Sequence, residues 1–480
     1  MFLPLIALFA LSSLGEASEH RRFHLAISKG PITGSSCADY LGHYGTENDR
    51  YHLYRTQREC LTSDLSNNSE AVVVVSFVSE ERKLIYVQEA GIDSSIRDNA
   101  EESALLSSLE DIMTITTLRT QTTFTTPDNN PLDFNIIYRT NSSALLSVSS
   151  EMADRIDAHL PRFVVPVLID TNPSTYIPVP PVSRRRILNW LDNLSFKSRV
   201  DEIVSTISVD YMRSKLEYLT GESSTSPLRT RYAMSDDARE AATWLKVQFE
   251  ENGAECELHQ FHPYYSPNVI CRYAASGDSD GIIILGAHYD SRAGPMTPYI
   301  RAPGANDDGS GIASLLGITH AIKENNLTFT NNIQFAAFSG EEQGLVGSSH
   351  YAQRLKDENA NVLLMVQADM IGYRRSDENR QIAFPAVYST YEASGYLQNL
   401  TQLYSKELEF GTTYACCSDH ESFYNRGFAS TQVFERAGFI ADPMYHNSGD
   451  LSRREGYDFE QIRSIAKVTF SLVLDTSLSS

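Results

Sequence analysis

The chain has 480 residues, of which 41% are hydrophobic and 21% charged, as is typical of soluble globular proteins and not of disordered ones. This length exceeds what one ordinary hydrophobic core can serve, so two domains are expected. The formal net charge of −21 argues against nucleic acid as a partner, because a phosphate backbone requires a basic surface.

The first residues have the features of a secretory leader. An apolar run over residues 2–14 is followed by Gly15-Glu16-Ala17, a small-x-small cleavage pattern. The run is too short to span a bilayer, and no later stretch reaches about 18 uninterrupted apolar residues. We therefore predict a signal peptide over residues 1–17 and a secreted, extracellular protein that is not attached to a membrane. Asn-x-Ser/Thr sequons predict glycosylation at Asn67, Asn141, Asn193, Asn326 and Asn399.

The six cysteines form an even set, which is compatible with disulfides in an oxidising compartment. The candidate local pairs are Cys37–Cys60 and Cys256–Cys271. The second pair would flank a hairpin whose turn lies at residues 263–267. Cys416 and Cys417 are adjacent, so a strained bridge between them, pairing elsewhere and free thiols all stay open.

The first region, residues 18–170, is predicted to be a small α+β domain that serves as an accessory or pro-domain. Its predicted strands are residues 71–78, 83–87 and 163–169, and its predicted amphipathic helices are residues 101–115 and 149–160. A charged turn at residues 79–82 connects the first two strands.

Residues 171–199 are predicted to be a linker. The stretch 172–182 is rich in proline and therefore semi-rigid. The basic triplet Arg184-Arg185-Arg186 follows it. A processing site that releases the N-terminal domain and a solvated charge cluster at a domain boundary are equally good interpretations of this triplet.

From residue 200 onward, helical and strand patterns alternate. A helix with N-cap residues is predicted at 235–249, and further helices at 310–325 and 347–359. Short apolar runs predict buried strands at 281–285, 333–338, 362–366 and 431–434. These patterns predict an α/β domain over residues 200–480, with a mixed central β-sheet flanked by helices.

Five short segments of this domain carry residues that bind metals, at or just after predicted strand ends. Ligand crevices open at such strand ends in α/β sheets. The segments contain His288-Tyr-Asp290, Asp307-Asp308, Glu341-Glu342, Asp369 and His446. Together they offer two imidazoles and several carboxylates, a ligand set that suits a pair of zinc ions.

The spacing within the first two segments points to roles for particular residues. On an extended segment, residues two apart point the same way, so Asp290 can reach the distal imidazole nitrogen of His288. A carboxylate of Asp307 or Asp308 can bridge two cations through its two oxygens. A helix N-cap would explain one of these aspartates, but not why two are adjacent.

The remaining segments complete the candidate site. Of Glu341 and Glu342, one can bind metal while the other stays free as a base. Asp369 lies between apolar stretches and needs a partner, because burying a lone carboxylate is costly. His446 lies in a loop, and in isolation it would be interpreted as a surface residue. The pair Asp419-His420 is predicted to be structural.

In this order the five segments resemble the M28 family of co-catalytic zinc peptidases, in particular its secreted bacterial and fungal leucyl-type aminopeptidases, over roughly residues 200–480. The resemblance implies the zinc exopeptidase fold and two zinc ions. The implied ligands are His288 and Asp369 on one zinc, Glu342 and His446 on the other, and Asp307 between them. Glu341 would be the general base and Asp290 the carboxylate partner of His288.

The function implied by this resemblance is the removal of N-terminal, apolar residues from peptides with a free N-terminus, by an enzyme expected to be a monomer. The implied substrate-binding residues are Tyr414, Met370, Phe434 and Phe439. One departure is visible, because the family pattern Cys-x-Tyr-x-Cys is represented here by Tyr414-Ala415-Cys416-Cys417. The first cysteine is missing and the tyrosine is one place out of register.

Other classes of protein fit the sequence less well. Ser279 lies in a Gly-x-Ser-x-Gly pattern, but it precedes a strand, whereas a nucleophile elbow follows one. His-Glu-x-x-His is absent, which excludes a thermolysin-like site. A single-zinc glutaminyl cyclase shares the implied fold and stays an alternative. A non-catalytic ectodomain would require lost ligands, and none is lost.

Overall fold

The computed structural model describes most of the chain. The described ranges are 22–30, 38–45, 50–56, 73–79, 82–97, 134–140, 142–169, 178–294, 297, 299–415 and 417–479. The predicted signal peptide, the helix at 101–115, the pair Cys37–Cys60 and the sequons at Asn67 and Asn141 lie outside them. The other three sequon asparagines, Asn193, Asn326 and Asn399, are exposed.

The described part of the N-terminal region contains two four-stranded antiparallel sheets. Its strands are β1 (Arg22–Ser28), β2 (Ala38–Tyr44), β3 (Tyr51–Thr56), β4 (Val73–Ser79), β5 (Lys83–Glu89), β6 (Phe134–Arg139), β7 (Ser143–Val148) and β8 (Val164–Ile169). The sheet orders are β2-β3-β1-β4 and β6-β7-β5-β8. Leu25 and Leu53 of the first sheet share a buried cluster with Leu84 and Leu145 of the second, so the two sheets pack on each other.

Predictions for this region were right for the strands and partly wrong for the connections. β4, β5 and β8 confirm the three predicted strands, but β4 and β5 belong to different sheets. The helix predicted at 149–160 is wrong. The chain instead forms a short helix, α1 (Ser150–Ala153), and a 3-10 turn at Ile156–His159. Arg155 separates them, because its φ of −127° is outside the helical range.

The C-terminal domain contains eight strands and nine helices among the described residues. Its strands are β9 (Glu255–His259), β10 (Asn268–Tyr273), β11 (Ile282–His288), β12 (Asn332–Phe338), β13 (Val362–Ala368), β14 (Gln381–Pro385), β15 (Glu409–Thr413) and β16 (Ser430–Val433). Its helices are α2 (Pro181–Asp192), α3 (Ser198–Val204), α4 (Val209–Leu219), α5 (Asp236–Glu251), α6 (Gly309–Glu324), α7 (Val346–Asp357), α8 (Tyr391–Tyr404), α9 (His420–Tyr424) and α10 (Phe459–Ser477).

Six of these strands form the central mixed sheet that the sequence predicts, in the order β16-β13-β11-β12-β10-β9. The first four are parallel, β10 is antiparallel to them, and β9 pairs antiparallel with β10. Alternate residues of β11 face opposite ways, as the strand period requires. Ile283 and Leu285 belong to the core beneath α5, α6 and α10, whereas Ile284 packs with Tyr351 of α7 and Phe423 of α9. Helices therefore cover both faces of the sheet.

The predicted linker is largely helical, so the linker prediction is wrong beyond residue 180. α2 begins with Pro181, a residue well suited to the first turn of a helix. Ile187 is buried in the main core, and Nε of Arg184 donates to Oε1 of Glu392 at 2.7 Å. The basic triplet thus lies on a docked helix. This conformation favours the solvated charge cluster over the processing site, because proteolysis concentrates in exposed loops.

The predicted bridge between Cys256 and Cys271 is present and joins paired residues of β9 and β10. Cys417 is also disulfide-bonded, so the free-thiol interpretation is wrong for this residue. No helix in the described part of the chain is long and apolar enough to cross a membrane.

Replacing Cys256 and Cys271 together by alanine is expected to lower the free energy of unfolding by about 3 kcal/mol, because the bridge closes a loop of 15 residues in the unfolded chain. Urea unfolding of the double variant, compared with the wild-type protein, measures this loss. A variant with unchanged stability would show that the hairpin is held by its strand pairing alone.

Candidate active site

The predicted metal residues meet at one edge of the central sheet, where the parallel strands end. His288 is the last residue of β11, and Asp369 directly follows β13. Glu342 follows β12 after a short turn, while Asp307 and His446 come from loops. All five side chains line one cavity. The structure therefore brings together every residue that was predicted as a metal ligand.

Asp307 lies at the centre of this group. Its Oδ1 is 3.1 Å from Nε2 of His288, and its Oδ2 is 3.1 Å from Nε2 of His446. A second carboxylate stands beside each histidine: Oδ1 of Asp369 is 3.7 Å from Nε2 of His288, and Oε2 of Glu342 is 3.0 Å from Nε2 of His446. One carboxylate thus joins two imidazole–carboxylate pairs, which is the arrangement expected of a bridging ligand.

Asp308 is a competing candidate, because one of its oxygens lies within 4.8 Å of ligand atoms of His288 and Asp369. Its oxygens are however engaged by backbone amides. Oδ1 accepts from Gly311 at 2.8 Å and from Met370 at 3.3 Å, and Oδ2 accepts from His288 at 3.1 Å. Asp308 is therefore the N-cap of α6, and it ties three chain segments together. The peptide bond between Asp307 and Asp308 is cis.

The electrostatics of this cluster favour a bound cation. Burial would lower the pKa of His446, but the carboxylates of Glu342 and Asp307 outweigh it and raise the pKa to about 9. Burial raises the pKa of Glu341 well above its ordinary value. Glu342 Oε1 is buried without a hydrogen-bond partner. Buried carboxylates need a compensating partner, and zinc accepts both imidazole and carboxylate ligands, so the residues present fit a pair of zinc ions.

Asp290 organises the base and ligand segment. Its Oδ1 accepts from the backbone amide of Glu341 at 3.3 Å, and its Oδ2 accepts from that of Glu342 at 3.2 Å. Oδ1 also lies 3.6 Å from Nδ1 of His288, and the backbone oxygen of Asp290 lies closer to it, at 3.2 Å. The predicted partner of His288 therefore also holds the turn that presents the two glutamates.

The cavity beside these residues has a volume of about 50 Å³. Met370 and Phe434, two of the predicted substrate-binding residues, line it. Tyr414 and Phe439 are not among its lining residues, so their role in substrate binding stays a prediction. Their rings contact each other at a centroid distance of 5.3 Å and are 47% and 46% exposed. The amide of Tyr414 donates to Gly438 O, which fixes the tyrosine in this outward position.

The pair Asp419-His420 lies outside the ligand group, as predicted. Asp419 accepts a hydrogen bond from Nε2 of Gln367 at 2.9 Å. Burial lowers the pKa of His420 to about 3, so its ring is neutral.

Part of the cavity wall comes from the N-terminal region, for which the sequence predicts no role in the site. The lining residues from this region are Gln88, Ala90, Val165, Pro166 and Val167. They belong to β5, β8 and the residues that follow β5. Ordinary strand residues carry no sequence signal of such a role, because only the tertiary packing brings them to the ligands.

The mixed sheet with its ligand cluster at the strand ends has the zinc exopeptidase fold. The structure of the LapA aminopeptidase of Legionella pneumophila has this fold with a TM-score of 0.60 at 18% identity, and it covers 83% of this chain and 99% of that chain. LapB of the same organism matches with a TM-score of 0.57 at 20% identity, over 82% and 99% of the two chains.

Residues 268–473 match the model of peptidase family M28. A probable leucine aminopeptidase of Trichophyton verrucosum is 30% identical over 54% of this chain and 71% of its own length. Leucine aminopeptidase 1 of Paracoccidioides brasiliensis is 28% identical over 61% and 77%. The chain belongs to peptidase family M28 and is therefore a hydrolase of peptide bonds.

Proposed function

We propose that the protein is a secreted, monomeric aminopeptidase with two zinc ions, which removes apolar N-terminal residues from peptides. The observation that carries this proposal is the position of Asp307, whose two carboxylate oxygens each lie 3.1 Å from Nε2 of a different histidine. The similar leucine aminopeptidases support the reaction type. We further propose that residues 200–480 form the catalytic domain and residues 18–170 an accessory domain.

The residues that would hold the metals are His288 and Asp369, Glu342 and His446, with Asp307 shared between them. When bound, a zinc pair would lower the pKa of a water molecule and polarise the scissile carbonyl. Glu341 lines the cavity beside these ligands, and its amide is held by Asp290. Its carboxylate can take up a proton from the attacking water and pass it to the leaving amine.

Other residues of the cavity account for the choice of substrate. A metal bound at this site would also be able to hold the free amino group of a peptide N-terminus and so orient the substrate. Met370 and Phe434 supply an apolar wall for the first side chain. An N-acetylated peptide lacks this free amino group and is expected to be a poor substrate.

The purified protein is expected to hydrolyse leucyl-anilide and to leave the N-acetylated analogue intact. Removal of metal by a chelator should abolish hydrolysis, and addition of zinc should restore it, because the site residues bind the metals and do not replace them. Release of the aniline chromophore measures both effects. Equal cleavage of the blocked substrate would contradict the aminopeptidase proposal, and one zinc per chain by elemental analysis would favour the single-zinc cyclase.

A further inference from the structure

The loop of residues 160–164, which leads into β8 of the N-terminal region, contacts His446 directly. The carbonyl oxygen of Arg162 lies 2.6 Å from Nδ1 of His446. Nη1 of Arg292 lies 3.2 Å from the same nitrogen, but a guanidinium can only donate and a carbonyl can only accept. The short contact with the carbonyl therefore places the hydrogen on Nδ1, and Nε2 is left to face Asp307 and Glu342.

A hydrogen-bond partner for the second ring nitrogen matters for a histidine that binds metal, because this hydrogen bond fixes both the tautomer and the orientation of the ring. The two histidines of the site obtain it from different sources. His288 contacts Asp290, two residues further along its own segment. His446 obtains its partner from the N-terminal region, across 284 residues of sequence.

Arg292 holds this loop in place. Its Nη1 donates to the carbonyl of Val164 at 2.8 Å, and its Nη2 donates to the carbonyls of Leu160 at 2.9 Å and Pro161 at 3.0 Å. The side chain is 2% exposed. A planar guanidinium that serves three carbonyls defines the shape of the loop more strictly than a single donor could.

A second contact holds the loop of residues 160–164 beside His446. The ring of Phe163 stacks on Tyr445, the neighbour of His446, at a centroid distance of 6.4 Å and an interplanar angle of 7°. Asp157, also in the N-terminal region, accepts from Nε2 of Gln343 at 2.9 Å, next to Glu342. The N-terminal region thus contacts both segments that carry the ligands of this half of the site.

We propose that Arg292 is a positioning residue for the metal centre: it holds the loop 160–164, whose Arg162 carbonyl orients His446. The N-terminal region is then a permanent part of the active site and not a segment to be discarded. This inference rests on the proposed zinc pair, and it assigns to Arg292 no contact with substrate or metal.

The test compares full-length wild-type protein, Arg292→Lys and a matched control, Arg239→Lys. Arg239 also donates to two carbonyls, those of Tyr264 and Tyr265, but both belong to the C-terminal domain. Each protein is loaded with zinc and titrated with a chelator of known affinity, which resolves the release of the two ions. A lysine has its donors on a single nitrogen and cannot reproduce the planar fork by which Nη1 and Nη2 reach separate carbonyls, so the loop and its carbonyl lose their fixed position.

In Arg292→Lys, one zinc is expected to bind roughly 10–100-fold more weakly, as is usual when a partner of a metal ligand is lost. The other zinc should keep its wild-type affinity, because Asp290 and His288 are untouched. Arg239→Lys should keep both. A general loss of stability would weaken both ions together, so the selective effect distinguishes positioning from a merely structural role.

Phe163→Leu provides a second variant that retains Arg292 and removes only the ring stacking on Tyr445. It is expected to weaken the same zinc in the same direction, by a smaller factor. Wild-type affinity for both ions in either folded variant would overturn the inference. A wild-type protein that binds no zinc would instead refute the proposed function, so the two failures can be told apart.

Discussion

Glu341→Gln is expected to lower kcat roughly 10²–10⁴-fold, with KM and zinc content close to those of the wild-type protein. Glutamine has the size of glutamate but cannot take up a proton. The backbone amide of residue 341 would still donate to Asp290, so the turn that presents the two glutamates is retained. Steady-state kinetics on leucyl-anilide, together with elemental analysis for zinc, provide the measurement.

Glu324→Gln is a suitable control for this variant, because it makes the same chemical change at a side chain that is 60% exposed and distant from the cavity. It should leave kcat unchanged. If Glu341→Gln retained more than a tenth of the wild-type kcat with both metals bound, another group would have to be the base.

Asp307→Asn is expected to reduce the zinc content from two ions to one or none. Activity should fall by more than roughly 100-fold, because loss of a residue that only hydrogen-bonds to a metal ligand already costs up to about 100-fold. The amide nitrogen of asparagine cannot bind a cation, so the two histidines would no longer share a carboxylate. Elemental analysis and kinetics on the same preparation measure both losses.

The neighbouring substitution Asp308→Asn separates the two adjacent aspartates. Its amide group would face backbone amides that now donate to a carboxylate, so a loss of about 1–3 kcal/mol in stability is expected. Both zinc ions should remain. The opposite pattern, with zinc lost from Asp308→Asn and kept in Asp307→Asn, would exchange the roles that the geometry assigns.

Much of the fold could be predicted because the relevant forces are local. Short apolar runs identify the buried strands of the central sheet, and Ser235 begins α5 as its N-cap, accepting from the amide of Ala238. The helix α2 was missed because a proline-rich lead predicts a linker, whereas the burial of Ile187 against the core decides the outcome. Such packing depends on residues far away in the sequence.

For the candidate site too, features that depend on local sequence could be predicted, and features that depend on distant contacts could not. The metal ligands could be predicted because each lies in a short segment of unusual composition at a strand end. The outward orientation of Tyr414 could not be predicted, because it depends on the hydrogen bond of its amide to the carbonyl of Gly438. The contribution of Arg162 could not be predicted from residue type at all, since a backbone carbonyl acts on His446 and every residue has one.

The backbone hydrogen bonds between the segment that precedes His446 and the N-terminal region have a consequence for biosynthesis. Ile440, six residues before the predicted ligand His446, exchanges backbone hydrogen bonds with Gly91 and Asp93. Domains generally fold in the order in which they leave the ribosome. The strands that precede residues 91–93 are therefore synthesised before the segment that carries His446, and we expect this segment to dock on N-terminal sheets that have already formed.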